Sequence, residues 1–160
     1  MIKNNSRREL FKRVRNPFAF FVYPPYYKDK LKFSECLECE TKDCLLVCEE
    51  KIIDIENGFP IIKFGKSGCT FCDECANACP KDVLSLEDKK ETLNCEFIIN
   101  INSCIAWNQT ICFSCQDVCE VRAINFKGVF NPIIDKEKCT SCGFCLSVCP
   151  ANSVEIVRES

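Results

Sequence analysis

The chain has 160 residues, 17 of them cysteine and none histidine, and a formal net charge of −2. The absence of His excludes Cys/His zinc fingers and leaves all-Cys metal sites. An odd cysteine count, crowded at spacings of two and three and with no cleavable signal peptide in view, argues against a disulfide scaffold and for iron–sulfur ligation, with all-Cys zinc as the competing chemistry.

Residues 1–32 lack cysteine and hold nine Lys/Arg against two Asp/Glu, for +7; residues 33–160 hold 12 against 21, for −9. Each 4Fe–4S cubane with four thiolates adds −2, so four would take the body to about −17. "SRRELFK" looks like a twin-arginine export signal, but the apolar run Phe18 to Tyr23 is six residues long, meets Pro24-Pro25 and has no small-residue cleavage site after it. It is also far short of the roughly 20 residues of a membrane span. The aromatics between Phe18 and Tyr27 argue for a docking arm or a segment packed on the body, over a solvated tail; we expect 1–32 to be a basic, aromatic arm that docks a partner, with Arg7, Arg8, Lys12, Arg13 and Arg15 steering and Phe18 to Tyr27 supplying buried contact. Deleting 1–27 is then expected to leave cluster content intact.

From residue 33 the chain repeats. The cysteine groups are Cys36, Cys39, Cys44, Cys48; Cys69, Cys72, Cys75, Cys79; Cys104, Cys112, Cys115, Cys119; and Cys139, Cys142, Cys145, Cys149. Each ends C-x3-C, and the second and fourth are offset by 70 throughout. Such a period marks a duplicated pair of units. After each terminal Cys comes an apolar pair with the period of a strand: Ile53/Ile55, Leu84/Leu86, Ile124/Phe126 and Val154/Ile156. "FPIIKF", "EFIIN" and "FNPIID" read as further strands. Each unit is therefore strand, cluster loop, a short helical turn around the terminal Cys, and strand. The expected fold is α+β, with two tandem bacterial-ferredoxin-like modules at 33–90 and 91–160 behind the arm.

"CTFCDECANACP" and "CTSCGFCLSVCP" match C-x2-C-x2-C-x3-C-P, in which three cysteines hold one cubane and the fourth, one helical turn on, ligates its neighbour. The crossover gives four sets: Cys36, Cys39, Cys44 with Cys79; Cys69, Cys72, Cys75 with Cys48; Cys104, Cys112, Cys115 with Cys149; Cys139, Cys142, Cys145 with Cys119. Two groups are irregular. Four residues separate Cys39 from Cys44, and seven separate Cys104 from Cys112. Cys95 competes with Cys104 for the third set, but it lies on the far side of a predicted strand from the loop; we assign Cys104 and leave Cys95 as the odd thiol. Glu49 and Glu120, standing where Pro80 and Pro150 stand in the regular groups, read as ordinary solvated carboxylates.

These residues resemble the NapF-type ferredoxins of periplasmic nitrate reductase systems over nearly the whole chain: "SRRELF" without an export core, "PPYY" before the first group, "GFPIIKF", and above all "CIAWNQTICFSCQDVCEVRAI" with its displaced first Cys. The x4 step at Cys39 departs from the x2 expected there. The resemblance implies a cytoplasmic protein with several 4Fe–4S clusters that contacts the nitrate reductase catalytic subunit before export and helps assemble or reduce its iron–sulfur centre. The alternative is a general electron carrier between other redox proteins. No enzyme activity, nucleic-acid partner or membrane span is expected. The five glycines form no G-x-G-x-x-G or G-x4-G-K loop, and no C-x3-C-x2-C radical run is present.

Overall fold

The computed structural model describes residues 21–157. Asn57-Gly58, both at positive φ, make the two-residue turn that closes β1 (Ile53–Glu56) on β2 (Phe59–Ile62). Gly128-Val129 does the same for β4 (Ile124–Lys127) and β5 (Phe130–Ile134), where Asn131 makes a bulge. In the second half β3 (Glu96–Ile99) and β6 (Val154–Val157) pair antiparallel, with Phe97 opposite Ile156, and bracket that hairpin. This is the expected ferredoxin-like module.

The first half departs from it. Leu84 and Leu86 do not continue as a strand: Val83 and Leu84 are buried, but Leu86 opens a 3₁₀ turn, Leu86–Asp88, and is 47% exposed. The outer position is taken instead by residues expected to reach a partner. Val22 bridges to Ile62, the Ser85 N–H donates to the Tyr26 carbonyl (2.7 Å), and the Lys90 N–H to the Pro25 carbonyl (2.7 Å). Pro24 and Pro25 carry no N–H, so no regular ladder can form there.

The aromatic part of the arm, as far as it is described, is therefore core. Tyr23, Tyr26, Tyr27 and Phe33 are all buried, and Tyr23 stacks on Phe33 at 4.8 Å. Tyr27 leans on the same ring and carries Lys90 Nζ over its face at 3.0 Å. The expectation of an arm running to residue 32 is corrected accordingly: apolar rings this large bury themselves in the nearest available core. The basic residues Arg7 to Arg15, with Phe18, lie outside the described residues.

A second core joins the halves. Val22, Ile52 and Ile62 pack with Leu93, Phe97, Ile124 and Val154, and Phe64 meets Phe97 edge-on at 5.4 Å. Cys48 touches both cores.

Tyr23 separates two effects. Its ring is fully buried, and its hydroxyl is buried with no hydrogen-bond partner among the described residues. Tyr23→Ala should cost about 3–5 kcal/mol. Tyr23→Phe, which removes only the orphan hydroxyl, should cost nothing or add about 1 kcal/mol. Guanidinium unfolding of the cluster-loaded protein reads both.

Candidate metal centres

Four helical turns of four residues carry the loops: α1 (Asp43–Leu46), α2 (Glu74–Asn77), α3 (Ser114–Asp117) and α4 (Phe144–Ser147). Each contains the third Cys of its group (Cys44, Cys75, Cys115 or Cys145) and stops before the terminal Cys, so the helical turn stands one ligand earlier than expected. Left-handed residues start three of them: Lys42 (φ 52°), Asp73 (φ 69°) and Gly143 (φ 93°). After the terminal Cys all four units make the same turn. Lys51, Asp82, Arg122 and Asn152 have φ between 48° and 53° and donate their N–H to the carbonyls of Cys48, Cys79, Cys119 and Cys149. A non-glycine residue held there costs of order 1–3 kcal/mol. The cost recurs because the turn reverses the chain from loop into strand.

The turn also aims donors at sulfur. The N–H groups of Leu84, Ala123 and Ser153 donate to Cys79 Sγ (3.5 Å), Cys119 Sγ (3.2 Å) and Cys149 Sγ (3.2 Å). Hydrogen bonds of this kind stabilise thiolate and tune cluster potentials.

The predicted sets come together in space. Cys48, Cys69, Cys72 and Cys75 line one cavity, Cys104, Cys112, Cys115 and Cys149 a second, and Cys119, Cys139, Cys142 and Cys145 a third. For the remaining set, Cys36 and Cys44 are buried in the first core with Cys79 packed against them. Cys104, not Cys95, faces the third group. Its seven-residue loop is ordered by Trp107 Nε1, which donates to the Pro132 carbonyl (3.0 Å), and by Asn108 Nδ2, which donates to the Cys104 carbonyl (2.8 Å). Cys95 is buried elsewhere, its carbonyl accepting from Ser141 Oγ (2.6 Å). The x4 loop keeps its place because Lys42 Nζ reaches inward to the Cys36 and Gly58 carbonyls. Glu49 and Glu120 are exposed, Glu49 on a cavity rim.

Electrostatics follow the same partition. Burial pushes the Cys36, Cys44, Cys69 and Cys115 thiols up to about 11, Cys145 to about 12, and Cys75 in the same direction. Neighbouring thiolates add to it across the crossover: Cys79 acts on Cys36 and Cys44, Cys48 on Cys69 and Cys75, Cys149 on Cys115, and Cys119 on Cys139. At Cys149 burial acts upward but is outweighed by hydrogen bonds from the Ser153 hydroxyl and N–H, so its thiol is lowered.

Among the described residues no three such donors converge on a point that would hold a single metal ion. The thiols are spread around cavities instead. A cubane offers a separate iron to each thiolate, and this spread fits 4Fe–4S ligation.

Some residues that shape the sites carried no sign of that role in the sequence. Pro24, Pro25 and Tyr26 line the cavity of Cys48, Cys69, Cys72 and Cys75. Tyr26 donates to Asp73 Oδ1 (2.8 Å) and accepts from the Asp73 N–H (3.1 Å), pinning the loop between Cys72 and Cys75, while Lys89 pairs with the same carboxylate at 2.6 Å. Only knowledge that 24–26 fold back on the loop would have shown this.

Fold and thiol geometry define a multi-cluster iron–sulfur protein of the ferredoxin type. A family profile for the 4Fe-4S dicluster domain matches residues 35–83 and 110–153. The chain is 31% identical to the ferredoxin-type protein NapF of Escherichia coli (strain K12), over 83% of this chain and 82% of the relative. It is also 31% identical to NapF of Haemophilus influenzae, over 94% and 82%. Methylamine utilization ferredoxin-type protein MauM of Methylophilus methylotrophus is 28% identical over 86% and 70%. The chain belongs to the NapF-type ferredoxins and carries multiple 4Fe–4S clusters.

Two outcomes test the partition. Cys149→Ala should abolish the spectroscopic signature of the cluster of Cys104, Cys112 and Cys115 while sparing that of its own group. Cys95→Ala should retain the full iron content, whereas Cys104→Ala should lose about four irons per chain.

The raised thiols give a pH signature after cluster removal. Between the ordinary thiol value of about 8.5 and about 11 the folded chain binds more protons than the unfolded one, so stability is present below that window and lost as pH rises through it. Thermal melts of chelator-stripped protein should fall from pH 7 to pH 10, and those of the loaded protein should not follow.

Proposed function

We propose that this is a cytoplasmic four-cluster ferredoxin that assists the nitrate reductase catalytic subunit before its export, by reducing or helping to assemble that subunit's iron–sulfur centre. All sixteen cysteines of the four sets are ligands in this reading: Cys36, Cys39, Cys44, Cys79; Cys48, Cys69, Cys72, Cys75; Cys104, Cys112, Cys115, Cys149; and Cys119, Cys139, Cys142, Cys145. The observation that carries it is the grouping of twelve of these thiols in three crossed sets, with Cys36, Cys44 and Cys79 together at the first core, in a chain of the NapF-type family. Residues 21–90 and 91–160 are the two modules, and residues 1–20 are the docking arm, shorter than the sequence alone suggested.

The chemistry is electron or cluster transfer, and no residue is assigned a catalytic role. A partner-facing surface is available beside the first set, where Leu31, Leu37 and Leu46 are all strongly exposed. No helix of the described residues is long and apolar enough to cross a membrane. The likeness to MauM, a protein named for methylamine utilization, favours a second reading: a general carrier between redox proteins.

Anaerobic purification with iron analysis and identification of co-purifying protein tests both readings. About 16 irons per chain and capture of the nitrate reductase catalytic subunit, weakened by deletion of residues 1–20 with iron unchanged, is the expected result. Full iron with capture only of other redox proteins would select the general carrier. Deleting residues 1–27 instead should lower the iron content, because Tyr23 to Tyr27 are core.

A further inference from the structure

The cluster loops of the two halves meet at one seam. The Cys69 N–H donates to the Cys142 carbonyl at 2.7 Å. Gly68, just before it, lies so close to the other loop that a Cβ there would stand 2.5 Å from the Cys142 carbonyl oxygen, 2.6 Å from the Phe144 nitrogen and 2.9 Å from the Phe144 ring. On the other side Phe64 covers Gly143, leaving 2.2 Å for a Cβ, and then packs on Phe97. Both Cys69 and Cys142 belong to ligand sets, and those sets are in different modules.

Within each half the loops also adjoin. Helix α1 packs on α2, and α3 on α4. Cys44 acts electrostatically on Cys75, Cys115 on Cys145, and across the seam Cys142 on Cys69. The spatial order of the sets therefore differs from their order along the chain. The set containing Cys36 adjoins that of Cys69, which adjoins that of Cys139, which adjoins that of Cys104.

We propose that the four clusters form one linear electron relay in that order, and that the hydrogen bond from Cys69 to Cys142 is its central link. The proposal rests on the reading that these cysteines are cluster ligands. The link is short in bonds: from Cys69 Sγ through Cβ, Cα and N–H to the Cys142 carbonyl, then through Cα and Cβ to Cys142 Sγ. Cys69 and Cys142 would each hold a cluster able to take up or release one electron, so that an electron lost on the Cys69 side would be gained on the Cys142 side. A low-potential one-electron donor refills the first, and an acceptor protein drains the far end. Gly68 is a positioning residue, required because any side chain there would push the two loops apart.

Electron paramagnetic resonance of the fully loaded, dithionite-reduced protein tests this. The spectrum should fit one network of four interacting spins. Gly68→Ala should split it into two independent pairs with iron and sulfide unchanged, while Gly65→Ala, where an added Cβ meets nothing within 4 Å, should leave it intact. If the unsubstituted protein already gives two independent pairs, or Gly68→Ala superimposes on it, the relay is overturned. If Gly68→Ala loses iron, the unsubstituted spectrum alone decides. A shortfall of iron in the unsubstituted protein would instead strike the underlying ligand assignment, so the two failures are told apart.

Discussion

Groups of cysteine thiols crowded around shared cavities, nearly all of them buried or half-buried, are the constraint on which the rest of this structure depends. Each site needs thiolates for iron, yet burial and like charge push at least one thiol of every set above its ordinary value, Cys36, Cys69, Cys115 and Cys145 among them. Iron reconciles the two by replacing the protons. The cluster is consequently part of the core: the cavities it would fill are lined by Ile52, Ile53 and Ile62 in one case and by Ile99 and Val154 in another. Secondary structure is correspondingly sparse, with α-helices of a single turn, strands of four or five residues and one longer 3₁₀ segment, Lys30–Glu38. Elements this short have little stability of their own, so metal binding adds directly to the stability of the fold.

The backbone bears the same imprint. Positive φ recurs at Lys51, Asp82, Arg122 and Asn152 although none is glycine, and again at Phe71 and Ser141 between the first two cysteines of the regular groups. Sterics disfavour every one of these. A loop that must present three sulfurs to one cubane and then send a fourth to its neighbour has few backbone paths, and the residues occupying those paths accept the strain. Sequence choice at such positions follows the cluster's geometry and not local propensity.

That explains what could be read from the chain and what could not. Cysteine spacing is covalent geometry written directly into the sequence, and the offset of 70 exposed the duplication; both survive in the arrangement of the thiols. The strands at Ile53/Ile55 and Ile124/Phe126, with those in "FPIIKF" and "FNPIID", were legible because a period of two is a local signal. Leu84 and Leu86 misled because period two implies a ladder partner, and the partner available was Pro24-Pro25, which has no N–H to give. The aromatic segment misled for a related reason. Composition reports that rings must be buried but is silent on whether the core is this chain's or another's. Lys42, Tyr26 and Gly68 act over distances in sequence that no short pattern encodes: Tyr26 holds a loop 47 residues away.

The two halves, alike in their cysteines, have thus been made unlike in their support. The second module closes itself with β3 on β6, whereas the first is closed by a wedge of tyrosines and prolines. Because the wedge also lines the cavity of Cys48, Cys69, Cys72 and Cys75, the segment that leads back toward the basic residues is in direct packing contact with a cluster site. Tyr26 grips Asp73 inside that site's own loop, with Lys89 on the same carboxylate. Any force applied to the segment ahead of Phe21 by a bound protein would be felt first at Val22 and Tyr23, and through them at Tyr26 and the Cys72–Cys75 loop. Two modules alike in their cysteines are thus supported differently, and in the first the outer support, the wedge of Pro24, Pro25 and Tyr26, itself lines a cluster cavity.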